Sequence, residues 1–446
     1  MLILFYFTGR LGYIESAKWI LIISSFAFYF LGEHQYFLLF SMLVIIDYIY
    51  AKYILTSSFP YRKIGLIVII LFNLSFLFYY KYLNFVLGNW FSLIGTQQEH
   101  VLSTTNLPLG ISFFTFQLIA FLIDTYRNKL GVVNIKSYLF FITFFPQLIV
   151  GPIVHYQDVN RQIESKTVIK LNYRNLYLGI VYFVFGLSKK ILLADPLTMI
   201  AQSHYNNFYG ISGFEMLFAM ISYTISYYFD LSGYADMAKG LGLLFNVELP
   251  NNFDSPYKAT NFADYWRRWH MTLSRFLSDY IFRSVYDKNK GIRNFYYAIM
   301  VTFLVSGIWH GAGWNFIVWG LLNGVLVCIS HLKFPFKIPH WSAVLLTFIG
   351  VIMTRNLFVS QNLIESIQTF HQLFSTKYPW WTMTSTDYFD LFTLIFAMYL
   401  CWFSMNSHQL TDKYSNSKRL LLLIMGLILI LIFKLGEEHP FLYYQF

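Results

Sequence analysis

The chain has 446 residues, of which 57% are hydrophobic, 21% aromatic and only 12% charged. A soluble protein carries about twice that charged fraction, so the composition excludes an ordinary soluble domain and implies an integral membrane protein. The net charge of +10 fits Lys and Arg gathered in loops beside anionic lipid better than it fits nucleic-acid binding.

The N-terminal run Met1 to Phe7 is apolar but short. It lacks a basic leader and a clear small-residue cleavage site, so a removed signal peptide is not expected. Apolar segments then follow at about residues 19–31, 36–55, 64–91, 111–124, 138–154, 176–193, 214–230, 295–310, 314–332, 341–358, 389–405 and 420–435. Their long, continuous character favours helices over a barrel. We expect ten to twelve helices in one polytopic domain over residues 1–446, some of them short, tilted or re-entrant.

Asp47 with Lys52, and Asp124 with Arg127, lie near helix ends and read as paired or snorkelling charges. Phe145-Pro-Gln-Leu-Ile-Val-Gly-Pro152 reads as a broken helix, a feature that lines cavities inside membranes. Asp230 and Asp236 follow a long apolar run. A salt bridge to Lys239 or to an arginine of residues 265–275 is the expected role, and a proton relay the alternative.

Residues 260–283 form the most polar helical stretch. At 3.6 residues per turn, Phe262, Tyr265, Trp266, Trp269, Leu273, Phe276 and Tyr280 share one side, and Asp264, Arg267, Arg268, Arg275 and Asp279 fall largely on the other. This predicts one helix in the interface plane or at a wet funnel mouth. Arg267, Arg268 and Arg275 read equally well as headgroup anchors and as ligands for the phosphates of a cytosolic donor. His270 lies among them.

His310 stands in Gly307-Ile-Trp-His-Gly-Ala-Gly-Trp314, inside an apolar run. Imidazole exchanges a proton near neutral pH, and an ionisable group in a membrane segment is a functional candidate. Gly307, Gly311 and Gly313 leave space for another backbone or a slim acyl chain; tight helix packing is the alternative. Cys328 and Cys401 lie in apolar runs without metal-ligand spacing, so no metal site is expected. The tail, residues 436–446, ends on aromatics, where a frayed terminus would be polar.

Three runs resemble the membrane-bound O-acyltransferase family: Asn251-Asn-Phe-Asp-Ser-Pro-Tyr257, Phe262-Ala-Asp-Tyr-Trp-Arg-Arg-Trp-His-Met-Thr-Leu-Ser274 and Gly307-Ile-Trp-His-Gly-Ala312. Leu107-Pro-Leu-Gly-Ile-Ser-Phe-Phe-Thr-Phe-Gln117 and Phe144-Phe-Pro-Gln-Leu-Ile-Val-Gly-Pro152 are similar to its bacterial branch. That branch includes alginate and peptidoglycan O-acetylation proteins and the D-alanyl transferase of teichoic acids. The resemblance implies an all-α bundle of about eleven membrane helices ringed around a central funnel or tunnel. It places the catalytic core at about residues 251–330, with His310 as the catalytic histidine and His270 as the second signature position. The ending Phe441-x-Tyr443-x-x-Phe446 resembles that of the acetylating members.

The implied activity is passage of acetyl from a cytosolic thioester, acetyl-coenzyme A by resemblance, across the bacterial cytoplasmic membrane. No permanently bound cofactor is implied. Tyr443 is the candidate relay: a phenol pKa of about 10 against about 8.5 for a thiol lets a phenolic ester retain much of the thioester's transfer potential. His310 would act as general base on the acceptor hydroxyl. His270 would position or protonate the donor side, and Asn315 or glycine amides are candidates for the oxyanion. The implied partner is an extracytoplasmic serine esterase-like acetyltransferase that modifies an envelope polysaccharide. Peptidoglycan is favoured, with alginate or another exopolysaccharide as the alternative. A different class, a proton-coupled transporter using Asp230, Asp236 and His310, would require inverted repeats that the sequence does not display.

Overall fold

The computed structural model describes residues 1–55, 60–95, 107–131, 133–149, 151–165, 167–207, 210–333, 335, 337–374, 379 and 388–434. Among the described residues the regular elements are all helical. Six helices are long and apolar enough to cross a membrane: Ile14–Gly32, Phe37–Leu55, Arg62–Ile94, Tyr173–Asn206, Lys288–His310 and His340–Val359. Tyr388–Phe403 and Ser407–Tyr414, bent by 59° at a short break, make a seventh when counted as one span. Many of these helices expose large apolar side chains, such as Leu38, Ile45 and Ile49 of Phe37–Leu55. In water such surface would be a liability, and in lipid it is ordinary solvent contact. The chain is a multi-pass membrane protein.

The chain forms two compact units, residues 1–180 with 238–250, and residues 181–237 with 251–446. The first unit is cored by aromatic rings. Tyr29 stacks on Phe40 at 4.4 Å between centroids, Phe40 meets Phe114 at 5.1 Å, and Phe121 meets Tyr138 at 4.6 Å. Asp47 is fully buried there, and both of its carboxylate oxygens accept from Asn73 Nδ2 at 3.0 Å. The expectation that Asp47 snorkels from a helix end is thereby corrected. Asp124 pairs with Lys129 at 3.0 Å. The expected helix break is present: Ile135–Thr143 ends, Phe144 turns out of helical geometry at ψ 106°, and Phe145–Leu148 adds one turn. Gln147 donates back to the Phe141 carbonyl at 2.5 Å and covers the broken end.

The second unit holds both signature histidines. Several of its buried charges are paired. Lys190 lies 2.7 Å from Asp195 and 2.8 Å from Asp230, and Lys189 lies 2.6 Å from Asp236. The aspartates therefore have lysine partners, as expected, with Lys190 on Asp230 and Lys189 on Asp236. Breaking such a buried pair from one side costs about 3–5 kcal/mol, because the remaining charge stays desolvated.

Candidate active site

The stretch read as one amphipathic helix is two. Phe262–Arg268 starts at Asn261, whose side chain accepts from the Asp264 amide at 2.8 Å. It stops at Trp269, and Met271–Leu277 begins after His270. His270 takes φ 44° and ψ 52°, the left-handed region that costs a non-glycine residue roughly 1–3 kcal/mol. A staple holds it there. The Asp254 amide donates to the Arg268 carbonyl at 2.9 Å, and the Met271 amide donates to the Asn252 carbonyl at 2.9 Å. The Asn252 side-chain oxygen accepts from the Thr272 amide at 3.2 Å and its hydroxyl at 2.9 Å. The first two motifs, distinct in sequence, are thus one hydrogen-bonded device.

The His270 side chain is only 4% exposed, and its Nδ1 has no hydrogen-bond partner among the described residues. Burial pushes its pKa down to about 4, so the ring is neutral at physiological pH. A neutral imidazole with one nitrogen unpartnered can accept or donate a hydrogen bond to a ligand. Its ring meets Phe253 at 6.1 Å between centroids.

His310 is the last residue of Gly291–His310 and is 7% exposed. Its ring meets Trp309 at 4.8 Å, Trp319 at 4.9 Å and Phe358 at 5.1 Å. Gly307 and Gly311 serve packing. A side chain on Gly307 would strike the Phe316 carbonyl and the Gly320 backbone, and one on Gly311 would overlap the Phe316 ring. Gly291–His310 and Trp314–Ser330 touch backbone to backbone, which small residues permit between membrane helices.

A cavity of about 420 Å³ opens in the same unit, lined by Trp266, Arg267, Ser274, Phe303, Ser306 and His331 among others. Its Trp266 wall packs on Phe303 at 5.3 Å and on Trp319 at 5.7 Å. Trp319 in turn packs on His310, so two ring contacts link the cavity wall to the imidazole. Of the three arginines, Arg267 alone is on the cavity lining. Arg268 pairs with Asp264 at 3.1 Å, and Arg275 lies 3.9 Å from Asp279, which also takes Arg283 at 3.2 Å. A donor phosphate would compete with those carboxylates at Arg268 and Arg275, but not at Arg267.

Sequence reasoning missed Arg355, on His340–Val359. It is buried, with its guanidinium carbon 4.3 Å from the Tyr227 ring, 4.8 Å from Trp269 and 5.3 Å from Phe358. An arginine near the end of an apolar run was the available signal.

The family model for membrane-bound O-acyltransferases matches residues 16–337. The chain belongs to the membrane-bound O-acyltransferase family. It is 37% identical over 380 residues to the peptidoglycan O-acetyltransferase of Helicobacter pylori, covering 78% of this chain and 72% of that protein. It is 28% identical over 409 residues to the probable alginate O-acetylase AlgI of Pseudomonas putida, covering 84% and 82%. It is 29% identical over 237 residues to the teichoic acid D-alanyltransferase of Streptococcus thermophilus, covering 50% and 56%. The chain is an acyltransferase.

An O-acyltransferase needs a base, an acyl-donor cleft and donors for the developing oxyanion. His310 and His270 are both buried in one compact unit, which also holds the cavity. Asn315, a candidate for the oxyanion, is committed otherwise: its Nδ2 donates to the Leu357 carbonyl at 3.1 Å and to the Ser360 carbonyl at 2.9 Å. The Trp266 indole nitrogen is buried and has no acceptor among the described residues. Tyr443 lies outside the described residues.

Proposed function

We propose that this acyltransferase carries acetyl from a cytosolic thioester, acetyl-coenzyme A, across the bacterial cytoplasmic membrane for O-acetylation of an envelope polysaccharide. The observation that carries the reading is His310, held in a three-ring apolar cage and linked through Trp319 and Trp266 to a cavity that Arg267 lines without a carboxylate partner among the described residues. In the transfer step the acceptor hydroxyl oxygen attacks the acetyl carbonyl while the His310 imidazole takes its proton. The new C–O bond forms, the C–S bond breaks, and the proton passes to the departing thiolate. General-base help of this kind contributes roughly 10² to 10⁴ in rate. His270, kept neutral by burial, serves the donor side, and Arg267 serves the donor phosphates.

In this reading Tyr443 supplies the first acceptor hydroxyl; the serine hydroxyl of an extracytoplasmic esterase-like partner then attacks the phenolic ester, the phenolic C–O bond breaks, and the serine proton returns to the phenolate. About eleven membrane helices surround a central funnel; the short apolar helices Ile111–Tyr126 and Trp314–Ser330 supplement the longer spans. Peptidoglycan is the favoured polymer, supported by the 37% identity to the peptidoglycan O-acetyltransferase against 28% to the alginate O-acetylase. The alternative is alginate or another exopolysaccharide. Proton-coupled transport is disfavoured, because Asp230 and Asp236 are engaged by Lys190 and Lys189.

Mass analysis of wall fragments from a deletion strain tests the polymer. Loss of acetylated muropeptides, restored by the wild-type gene, is expected. Unchanged muropeptides together with loss of acetyl from a secreted polysaccharide would move the assignment to the alternative.

A further inference from the structure

We propose that Arg355 is a positioning residue for acetyl transfer, fixing the His270 and His310 segments through the aromatic rings on which its guanidinium rests. The proposal depends on the acetyl-transfer reading above. Arg355 is 4% exposed, and no carboxylate pairs with it among the described residues. Its Nη2 donates to the Tyr265 hydroxyl at 3.4 Å, and its Nε has no partner among the described residues. Tyr227, Trp269 and Phe358 surround the guanidinium at 4.3, 4.8 and 5.3 Å.

Each of two of these rings leads to a histidine. Trp269 immediately precedes His270, at the break between the two short helices. Phe358 carries the His310 ring at 5.1 Å, so imidazole and guanidinium contact the same phenyl group. Tyr227 closes the arrangement, stacked on Trp269 at 5.9 Å and edge-on to Phe358 at 5.5 Å. A single cation thus spans the supports of both imidazoles.

The physical case is that this arrangement is a poor choice for stability alone. A buried guanidinium without a counter-ion loses its hydration, and aromatic faces repay only part of that loss. A methionine or leucine would fill the same space without desolvating a charge. What arginine adds is a rigid plane that stacks on several rings at once and stays charged at any working pH. Such a plane fixes angles between rings, and misplacing a reacting group by about 1 Å costs on the order of 10²-fold in rate.

The test uses the full chain in membranes, with acetyl-coenzyme A labelled in its acetyl group and wall polymer as acceptor. Arg355→Met is expected to lower kcat roughly 10²-fold, with the donor KM within about threefold of wild type. Its thermal unfolding in detergent should be no lower than wild type, because an unpaired charge has been removed. Arg355→Lys keeps a basic side chain but neither the plane nor a charge held at every pH, and should fall between the two. Tyr265→Phe should show a smaller loss of the same kind. Wild-type kcat in Arg355→Met would overturn the proposal, as would a rise in KM with kcat unchanged. If Arg355→Met does not accumulate, Arg355→Lys decides: reduced kcat at constant KM supports the proposal, and wild-type kcat or failure to fold overturns it. His310→Ala run in parallel separates the two readings, since full activity there would remove the general base whatever Arg355 does.

Discussion

His270 sits where a hydrogen-bonded staple from Asn252 and Asp254 holds the backbone in the left-handed region, whereas His310 ends a 20-residue helix located by backbone contact with its neighbour. The first is positioned by directional bonds and stores strain; the second is positioned by steric fit and stores none. Strain of this kind survives only where the surroundings over-determine it. Steric fit has no such reserve, and tolerates little added volume. The two segments should therefore fail in different ways, and the following variants separate them.

The largest effect is expected at the helix contact. Gly307→Val places methyl groups against the Phe316 carbonyl and the Gly320 backbone, and should destabilise the protein by about 3 kcal/mol or more. Thermal unfolding in detergent measures it, and a wild-type melting temperature would show that the two helices can separate without loss. Next comes acid. His270 has a pKa of about 4 against an ordinary 6.5, so the unfolded chain binds the extra proton across that window. Its contribution is present above pH 6.5 and is lost as pH falls from 6.5 towards 4, by up to about 3 kcal/mol. Unfolding compared at pH 7 and pH 4.5 should show the loss in wild type and a flatter response in His270→Asn.

A smaller effect distinguishes the two backbones. At position 270, glycine should be more stable than alanine by about 1 kcal/mol, since only glycine adopts that φ without strain. At position 310, in helical geometry, alanine should be the more stable by about 0.5–1 kcal/mol. The same sign at both sites would erase the distinction drawn above. The smallest expected effect is at the cavity: Arg267→Gln should raise the donor KM a few-fold, and Arg268→Gln, whose guanidinium pairs with Asp264, should change it less.

Membrane character was legible from the missing charge, and the two histidines from the residues around them. The break at His270 was not, because Trp266, Trp269, Leu273 and Phe276 keep helical periodicity straight through it. What interrupts the helix is Asn252, which bonds to Met271 and Thr272 from about twenty residues earlier. The lysine partners of Asp230 and Asp236 were hidden for the same reason, since Lys190 and Lys189 are distant in sequence. Gly307 was visible as a small residue, but whether it admits a ligand or a helix depends on the opposing Gly320. Arg355 lay in plain view among apolar residues; its significance rests on Tyr227, Trp269 and Phe358, which come from three separate segments.

The central claim is that His310 performs the proton transfer. The direct measurement is the rate of labelled acetyl transfer from acetyl-coenzyme A to envelope polymer by membranes carrying His310→Ala, normalised to folded protein. A fall of roughly 10² to 10⁴ with an unchanged unfolding temperature is the predicted result; transfer within a few-fold of wild type would contradict it.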